Sequence, residues 1–335
     1  MIYNQRRFGA NTNPSPQKIN GLRLLIVNFH YFREETYASG IYPVSRAALN
    51  RQVDELAKYY EFISQEKLAE AVSTKNYPDK DFCLITIDDG LKEQMAAFEF
   101  LKEKGIPSIL YVPTDAVQNR KVLNVHKLHY VRTQMTDSDL FSLLDEKYNV
   151  SNVKFDMAAL ANQYRYDDDT ARKVKYFLNF VLTEEQKEEA TNFFFSRLVS
   201  NETDFANQLY MNETDLITLA NAGVLGSHGC AHIPLATKSF EVAKTDIQQS
   251  INYLENVTGK PVISFSYPYG GKDAVNTDLA PAFEETNVKF ALTMWRGVNT
   301  AENLNNPLFL HRVDTNDAPG GKNNSTEYIS LGAKA

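Results

Sequence analysis

The chain has 335 residues, a length that fits one large domain or two ordinary ones. Hydrophobic residues make up 43% and charged residues 23%, so the sequence can bury a core and is not a disordered chain. The formal net charge of −7 disfavours a protein that binds nucleic acid mainly through the phosphate backbone. The two cysteines, Cys83 and Cys230, are too few for a disulfide framework.

The first 20 residues are polar and rich in Asn and Pro, and we expect them to form a loosely held tail. They include no apolar segment of the kind that a secretory signal needs. The chain also has no run of 18 apolar residues, so no membrane span is predicted. We therefore expect a cytoplasmic protein.

In the next part of the chain, short apolar runs alternate with helical patterns. Strands buried on both faces are predicted at residues 22–29, 82–88 and 108–112. Helices are predicted at residues 45–59, with Ser45 as the N-cap, at 64–72 and at 94–104. This alternation predicts parallel strands that are joined by crossover helices.

Residues 115–212 break the alternation, because they contain helical patterns and no clear strand. The segment is too long for a loop without secondary structure, so we predict a helical insertion. Its clearest helical patterns are residues 137–147, 168–182 and 184–198. Two roles stay open for the insertion: a cap over a binding site, or a dimerisation element.

The alternation resumes after residue 212. Helices are predicted at residues 213–221, 240–257 and about 279–285, and strands at 223–228, 262–267 and 289–294. Six or seven strands with helices between them predict a closed or nearly closed α/β barrel. The predicted fold is thus a distorted (β/α)7-type barrel of residues 21–114 and 213–335, which residues 115–212 interrupt.

Three short motifs follow predicted strand ends, which is where α/β barrels build active sites. The first contains Asp88 and Asp89, two adjacent carboxylates at the end of an apolar strand. Such a pair is costly to bury unless a cation neutralises it, and one Asp can then bind a metal while its neighbour acts as a base. A solvated Asp-Asp-Gly turn is the alternative.

The second motif contains His228 and His232, whose spacing on a helical turn would let both imidazoles share one metal. Cys230 between them would be a small buried filler. The third motif, residues 265–271, is an aromatic loop that contains Pro and Gly. It is either a plain turn or a wall of the site whose backbone N–H points at a developing oxyanion, and in that case Tyr267 and Pro268 are candidate substrate contacts.

In this order the three motifs resemble those of the polysaccharide deacetylase family, the NodB-homology carbohydrate esterases. That family carries T-F-D-D-G and then H-[ST]-x-x-H, and here the sequence reads TIDDG at residues 86–90 and HGCAH at 228–232. The resemblance covers about residues 20–114 and 213–315. It implies a distorted barrel that hydrolyses an N-acetyl amide with one divalent metal.

Carried over residue by residue, the resemblance implies that Asp89, His228 and His232 bind the metal. It implies that Asp88 is the general base and that the backbone N–H of Tyr269 helps to hold the oxyanion. Two imidazoles and one carboxylate suit Zn²⁺, although such a site also accepts Co²⁺, Mn²⁺, Ni²⁺ or Fe²⁺.

The chain departs from the family pattern at three places. Gly229 stands where the family has Ser or Thr, and Ser266 stands where it has an Arg that orients the base. The family's D-x-x-D-W motif has no clear counterpart, since the chain around Trp295 reads TMWRG. These departures are typical of a divergent bacterial branch.

Other residues are candidates for the same site. His311, in the nearest match to the family's L-x-H motif, would be the general acid, and Arg312 would be either a substrate anion clamp or the partner of Asp88. His30 follows the first strand and could reach the same rim. His126 and His129, three residues apart in the insertion, favour a contact of the cap or a surface pair over a second metal site.

Three functions were considered. The favoured one is a metal-dependent hydrolase of an N-acyl sugar, with a small-molecule or oligosaccharide substrate such as a surface-glycan precursor. The second is a hydrolase of a different C–N bond, in a cyclic imide or a ureide. The third, a binding module that has lost catalysis, is disfavoured because Asp88, Asp89, His228 and His232 are all present. The sequence leaves the oligomeric state open, with a homodimer as one option.

Overall fold

The computed structural model describes residues 21–163 and 168–329. The strands are β1 (Arg23–Phe29), β2 (Glu61–Phe62), β3 (Asp81–Ile87), β4 (Ser108–Val112), β5 (Leu225–Ser227), β6 (Ser264–Ser266), β7 (Phe290–Leu292), β8 (Asn299–Thr300) and β9 (Val313–Asp314). The helices are α1 (Arg46–Leu56), α2 (Gln65–Thr74), α3 (Gln94–Glu103), α4 (Thr114–Gln118), α5 (Asn124–Gln134), α6 (Asp137–Tyr148), α7 (Met157–Gln163), α8 (Asp169–Tyr176), α9 (Glu184–Leu198), α10 (Glu202–Leu209), α11 (Glu213–Asn221), α12 (Phe240–Thr258) and α13 (Ala301–Leu304).

The strands form one curled sheet in the order β7-β6-β5-β4-β3-β1-β8. Neighbours from β7 to β1 run parallel, and only β8 at the far edge is antiparallel to its neighbour. The β1–β3 pairing is the longest, with seven residues in register from Arg23↔Asp81 to Phe29↔Ile87. Parallel pairing needs crossover connections, and the helices between these strands supply them.

One short segment links the two ends of the curled sheet. Leu310 bridges to Leu292 of β7, and β9 pairs in parallel with β1 at Val27↔Val313. The sheet therefore curls into a distorted barrel, which confirms the predicted fold class. The segment that links the ends includes both His311 and Arg312.

The apolar strands are buried on both faces, as the sequence predicts. Leu24 and Ile26 of β1 pack with Leu84 inside the barrel, whereas Leu25 and Val27 pack against the surrounding helices. Successive side chains of a strand point to opposite faces, so a strand between two apolar layers needs apolar residues at every position.

Most predicted elements are confirmed to within a few residues. Ser45 caps α1 by accepting a hydrogen bond from the N–H of Ala48. One helix differs in type, because residues Thr277–Phe283 form a 3-10 helix with Pro281 inside it. A proline has no N–H to donate and disfavours an α-helix, which explains the tighter 3-10 turn.

Helices α4 to α10 lie between β4 and α11, and they form most of a second apolar cluster. Tyr31, Ile41 and Leu91 of the barrel belong to this cluster, so the helical segment packs on the rim beside the ends of β1 and β3. Leu91 also forms an antiparallel bridge with Tyr210. None of the helices within residues 21–163 and 168–329 is both long and apolar enough to cross a bilayer.

Candidate active site

Polar side chains replace apolar ones where the inward-facing rows of the strands reach the rim of the barrel. In β1 the row runs from Leu24 and Ile26 to Asn28, and in β3 it runs from Leu84 to Thr86. Asp88 continues the row of β3 and hydrogen-bonds to Asn28. The strand alternation that fills the barrel with apolar groups therefore delivers a polar cluster to one end.

Asp88 is buried at this end and is held by three side chains. Its carboxylate is 2.9 Å from Nη1 of Arg312, and it accepts hydrogen bonds from Oγ of Ser266 and Nδ2 of Asn28, each at 3.1 Å. Burial alone would raise the pKa of Asp88, but the charge and hydrogen bond of Arg312 outweigh it and lower that pKa. Asp88 is thus an oriented, ionised carboxylate.

Arg312 is completely buried, and its guanidinium is shared among protein acceptors. Nε donates to the carbonyl of Thr293 at 2.9 Å, and Nη2 donates to Oγ of Ser266 at 2.8 Å. Of the two roles predicted for Arg312, the geometry favours that of partner of Asp88. Arg312, in the segment just before β9, thus lies where its charge can replace the Arg that the family motif carries at the position of Ser266.

Asp89, His228 and His232 converge on the other side of Asp88. Oδ1 of Asp89 is 3.6 Å from Nε2 of His228 and 3.3 Å from Nε2 of His232. One ligand atom from each of the three lies within 4.8 Å of the other two, and this is the only such group in the described part of the chain. Oδ1 is buried and accepts no hydrogen bond from residues 21–163 and 168–329.

These three residues fit a divalent cation. Nδ1 of His228 lies 2.6 Å from the carbonyl oxygen of Ser266, which can only accept, so Nδ1 carries the proton and Nε2 keeps its lone pair. Burial would lower the pKa of His228, but the charges of Asp88 and Asp89 raise it, whereas burial lowers the pKa of His232. Two imidazoles, one carboxylate and an orphaned carboxylate oxygen are a donor set that suits Zn²⁺ and related ions.

The His pair is held by a loop, so the prediction of a helical turn is wrong. Gly229 and His232 have positive φ angles of 72° and 53°, which no α-helix contains. Asp246 of α12 accepts hydrogen bonds from the N–H of Cys230 at 2.9 Å and of Ala231 at 3.0 Å. A Cβ on Gly229 would lie 2.5 Å from Oδ1 of Asp246, so the Ser or Thr of the family motif would strain this loop.

His126 of α5 reaches the same cluster, a position that no pattern in the sequence predicts. Its Nε2 is 3.1 Å from Oδ2 of Asp89, and its Nδ1 is 2.5 Å from the hydroxyl of Tyr210. His129, one turn along the helix, instead meets the hydroxyl of Tyr31 at 2.8 Å. The two histidines do not share a metal site; they lie where the helical segment meets the barrel, His126 at Asp89 and His129 at Tyr31.

The third motif places its residues on different sides. Tyr267 is buried on the outer face and packs against Phe265 and Phe309, so the prediction that it contacts substrate is not supported. Strand alternation explains this, because Ser266 points inwards. Pro268 is buried beside Gly229. Tyr269 is 46% exposed, and its ring lies 4.9 Å from that of His232.

Two further candidates, His30 and His311, have contrasting positions. His30 directly follows the last residue of β1, and its charge is among those that lower the pKa of Asp88 against the effect of burial. The ring of His311 lies 6.1 Å from that of Trp295. Within residues 21–163 and 168–329 no hydrogen bond or ion pair joins the His311 side chain to the carboxylates, whereas the neighbouring Arg312 reaches Asp88.

A sequence model of the family described as polysaccharide deacetylase matches residues 164–291 of the chain. This range contains His228, His232 and Tyr269, and it begins inside the helical segment. It covers less than half of the chain and does not reach Asp88 or Asp89. No curated protein gives a significant match.

Solved structures of deacetylases share the fold. The Streptococcus pyogenes deacetylase PplD in complex with acetate aligns with a TM-score of 0.52 at 16% identity, over 92% of this chain and 98% of that one. IcaB from Ammonifex degensii aligns with a TM-score of 0.53 at 14% identity, over 88% and 93%. The BpsB deacetylase domain from Bordetella bronchiseptica aligns with a TM-score of 0.50 at 13% identity, over 89% and 98%.

At these identities the structural likeness establishes the fold and nothing more. Together with the family match, it confirms the resemblance to polysaccharide deacetylases that the motifs predict.

Proposed function

We propose that the chain is a metal-dependent hydrolase that removes the acetyl group from an N-acetylated sugar of a glycan or a surface-glycan precursor. The family match and the shared fold support a sugar deacetylase-like hydrolase. The observation that carries the proposal is the position of ionised Asp88 beside the convergent trio of Asp89, His228 and His232. This arrangement places a base next to a cation site within one buried cluster of side chains.

Asp88 would act as the base that accepts a proton from the attacking water. An effective base must be ionised and held in place, and Arg312, Ser266 and Asn28 do both for Asp88. A divalent ion bound by Asp89, His228 and His232 would supply Lewis acidity towards the amide carbonyl and towards water. The donor set favours Zn²⁺, with Co²⁺, Mn²⁺, Ni²⁺ and Fe²⁺ as alternatives.

Tyr269 would stabilise the developing oxyanion through its backbone N–H. Support comes from its place in the loop, where its ring contacts that of His232. Its φ of +61° is costly for a residue with a side chain, and such backbone conformations persist where surrounding contacts enforce them. The hydrogen bond from the N–H of Met294 to the carbonyl of Gly270, at 2.8 Å, helps to hold the loop in this conformation.

One observation favours the alternative, hydrolysis of a small cyclic imide or ureide. Asp88, Asp89, His228 and His232 are only 2–9% exposed, so the groups that would do the chemistry lie beneath the surface. A small substrate reaches such a site more easily than a polymer chain does. A polymer would have to offer an end or a single residue to it.

The experiment that separates these functions uses the metal-loaded protein and proton NMR. The substrates are N-acetyl sugars, nucleotide-linked N-acetyl sugars, chito-oligomers, an N-formyl sugar and a cyclic imide, with Asp88→Asn as the control. We expect free acetate with the native protein and none with the control. Formate without acetate would mean that the enzyme removes a formyl group instead of an acetyl group. Ring-opened imide without free acid would establish the alternative. No product from any compound would contradict the proposal.

A further inference from the structure

The helical segment contributes a chain of hydrogen bonds that ends on Asp89. The hydroxyl of Tyr210 lies 2.5 Å from Nδ1 of His126, and Nε2 of His126 lies 3.1 Å from Oδ2 of Asp89. All three side chains are at most 4% exposed. A buried polar chain of this kind is stable only when each of its members is satisfied.

The direction of the chain follows from its two ends. The N–H of Leu123 donates to the hydroxyl oxygen of Tyr210 at 3.0 Å, so the hydroxyl hydrogen is available for Nδ1 of His126. The carboxylate of Asp89 can only accept, so Nε2 of His126 carries the hydrogen that points to Oδ2. The network therefore orients the ring of His126, with Nε2 donating to Asp89.

This chain divides the two oxygens of Asp89 between two tasks. Oδ2 is engaged by His126, whereas Oδ1 has no hydrogen-bond partner in the described residues and faces the imidazoles of His228 and His232. His126 itself lies outside the group of ligand atoms that lie within 4.8 Å of one another. Among the described residues, its one hydrogen bond to the cluster is the bond to Asp89.

We infer that Tyr210 and His126 are positioning residues that turn Oδ1 of Asp89 towards a bound cation, so that the helical segment helps to build the metal site. This inference rests on the proposed metal-dependent function. Partners of this kind orient metal-binding carboxylates, and their loss typically weakens metal binding about 10- to 100-fold.

Backbone hydrogen bonds also join the two segments that carry Asp89 and Tyr210, the ends of the hydrogen-bond chain. Tyr210 bridges to Leu91, two residues after Asp89. The N–H of Met211 donates to the carbonyl of Gly90 at 3.0 Å, and the N–H of Lys92 donates to that of Leu209 at 2.8 Å. The loop that carries Asp89 and the segment that carries Tyr210 are therefore held together by backbone hydrogen bonds, next to the Tyr210–His126–Asp89 relay of side-chain hydrogen bonds.

The test measures metal affinity, not turnover. Chelator-stripped proteins are titrated with Zn²⁺ and with Co²⁺ by calorimetry, and the visible absorption of the Co²⁺ forms is recorded. We expect His126→Ala to raise the dissociation constant about 10- to 100-fold and to change the Co²⁺ spectrum. His126→Gln keeps an N–H donor and should lose less. Tyr210→Phe should weaken binding in the native background and add nothing to His126→Ala, because it acts through His126.

The matched control is His129→Gln, which alters a histidine of the same helix that contacts Tyr31 and should keep native affinity. Equal affinity of native protein and His126→Ala would overturn the inference and leave the proposed function standing. Strictly additive losses for His126→Ala and Tyr210→Phe would overturn the relay. A native protein that binds neither ion would overturn the proposed metal site as well. If His126→Ala does not fold, as judged by near-ultraviolet circular dichroism, His126→Gln and Tyr210→Phe decide the question.

Discussion

Arg312 and Asp88 form an ion pair in which Nη1 and Oδ2 are 2.9 Å apart and both side chains are at most 3% exposed. Removing two charges from water is expensive, and their attraction offsets the cost only when hydrogen bonds satisfy the remaining atoms. Thr293, Ser266 and Asn28 provide those bonds here. The pair therefore carries both the stability of the barrel end and the ionisation of the proposed base.

Removal of the Arg312 guanidinium from this pair should destabilise the protein strongly. Arg312→Met leaves the Asp88 carboxylate buried without its partner, so we expect the free energy of unfolding to fall by about 3–5 kcal/mol. Urea unfolding, followed by circular dichroism, measures this change. The control is Arg296→Met, which breaks the exposed pair with Asp317 and should cost about 1 kcal/mol or less. Equal losses in the two variants would contradict the prediction.

Substitutions of the adjacent residues Asp88 and Asp89 should lower activity for different reasons. Asp88→Asn removes the proposed base but no metal ligand, so we expect retained metal and a kcat about 10²- to 10⁴-fold lower. Asp89→Asn weakens the donor set, so we expect loss of bound metal together with activity. Metal content by atomic absorption and turnover of the acetylated substrate test both statements. An Asp88 variant with near-native turnover at saturating metal would rule out its role as the base.

The sequence predicts the barrel well because its strands are apolar on both faces and end at recognisable motifs. Asp88 and Asp89 follow β3, and His228 and His232 follow β5, so parallel topology alone brings them to one rim. The reason for Gly229 at its position could not be predicted in this way. A side chain there would meet Asp246 of α12, and no local sequence pattern reveals that contact.

The remaining site residues depend on tertiary contacts that spacing does not reveal. Whether His311 or Arg312 points inwards depends on the register of a two-residue strand, β9, against β1. His126 reaches Asp89 only because α5 packs over the rim, and periodicity in that helix gives no sign of it. Asn28 and Ser266 are small polar residues near the ends of buried strands. That position is the sequence feature that could have identified them as site residues.

Restoring the family residue at position 229 should harm this protein. Gly229→Ser places a Cβ 2.5 Å from Oδ1 of Asp246 at a φ of 72°, and such overpacking costs about 1–3 kcal/mol. We expect a lower midpoint in urea and weaker metal binding, because the loop that carries His228 and His232 must move. Gly271→Ser is the control, since a Cβ there has nothing within 4 Å. A Gly229 variant as stable as the control would show that the loop adapts without cost.

Metal binding should stabilise the folded state in proportion to its affinity. A ligand present at about 100 times its dissociation constant adds about 2.7 kcal/mol, provided that it binds only the native protein. We expect chelation to lower the Tm of the native protein and Zn²⁺ to restore it. Asp89→Asn should show a much smaller shift, because it lacks one ligand. Differential scanning calorimetry with and without chelator measures both, and equal shifts in the two proteins would place the ion elsewhere.

The last prediction concerns His311, which the sequence predicts as the general acid, and His30, which it predicts as a residue of the same rim. The ring of His311 faces Trp295 on the outer side, so we expect His311→Gln to keep kcat within a few-fold of native. His30 directly follows β1 and its charge acts on Asp88, so His30→Gln should lower kcat/KM about 10-fold or more. Steady-state kinetics on both variants at saturating metal tests the pair. A loss of about 10²- to 10⁴-fold in kcat for His311→Gln, with metal content unchanged, would instead identify His311 as the general acid and would require the segment between β7 and β9 to turn its ring towards the site.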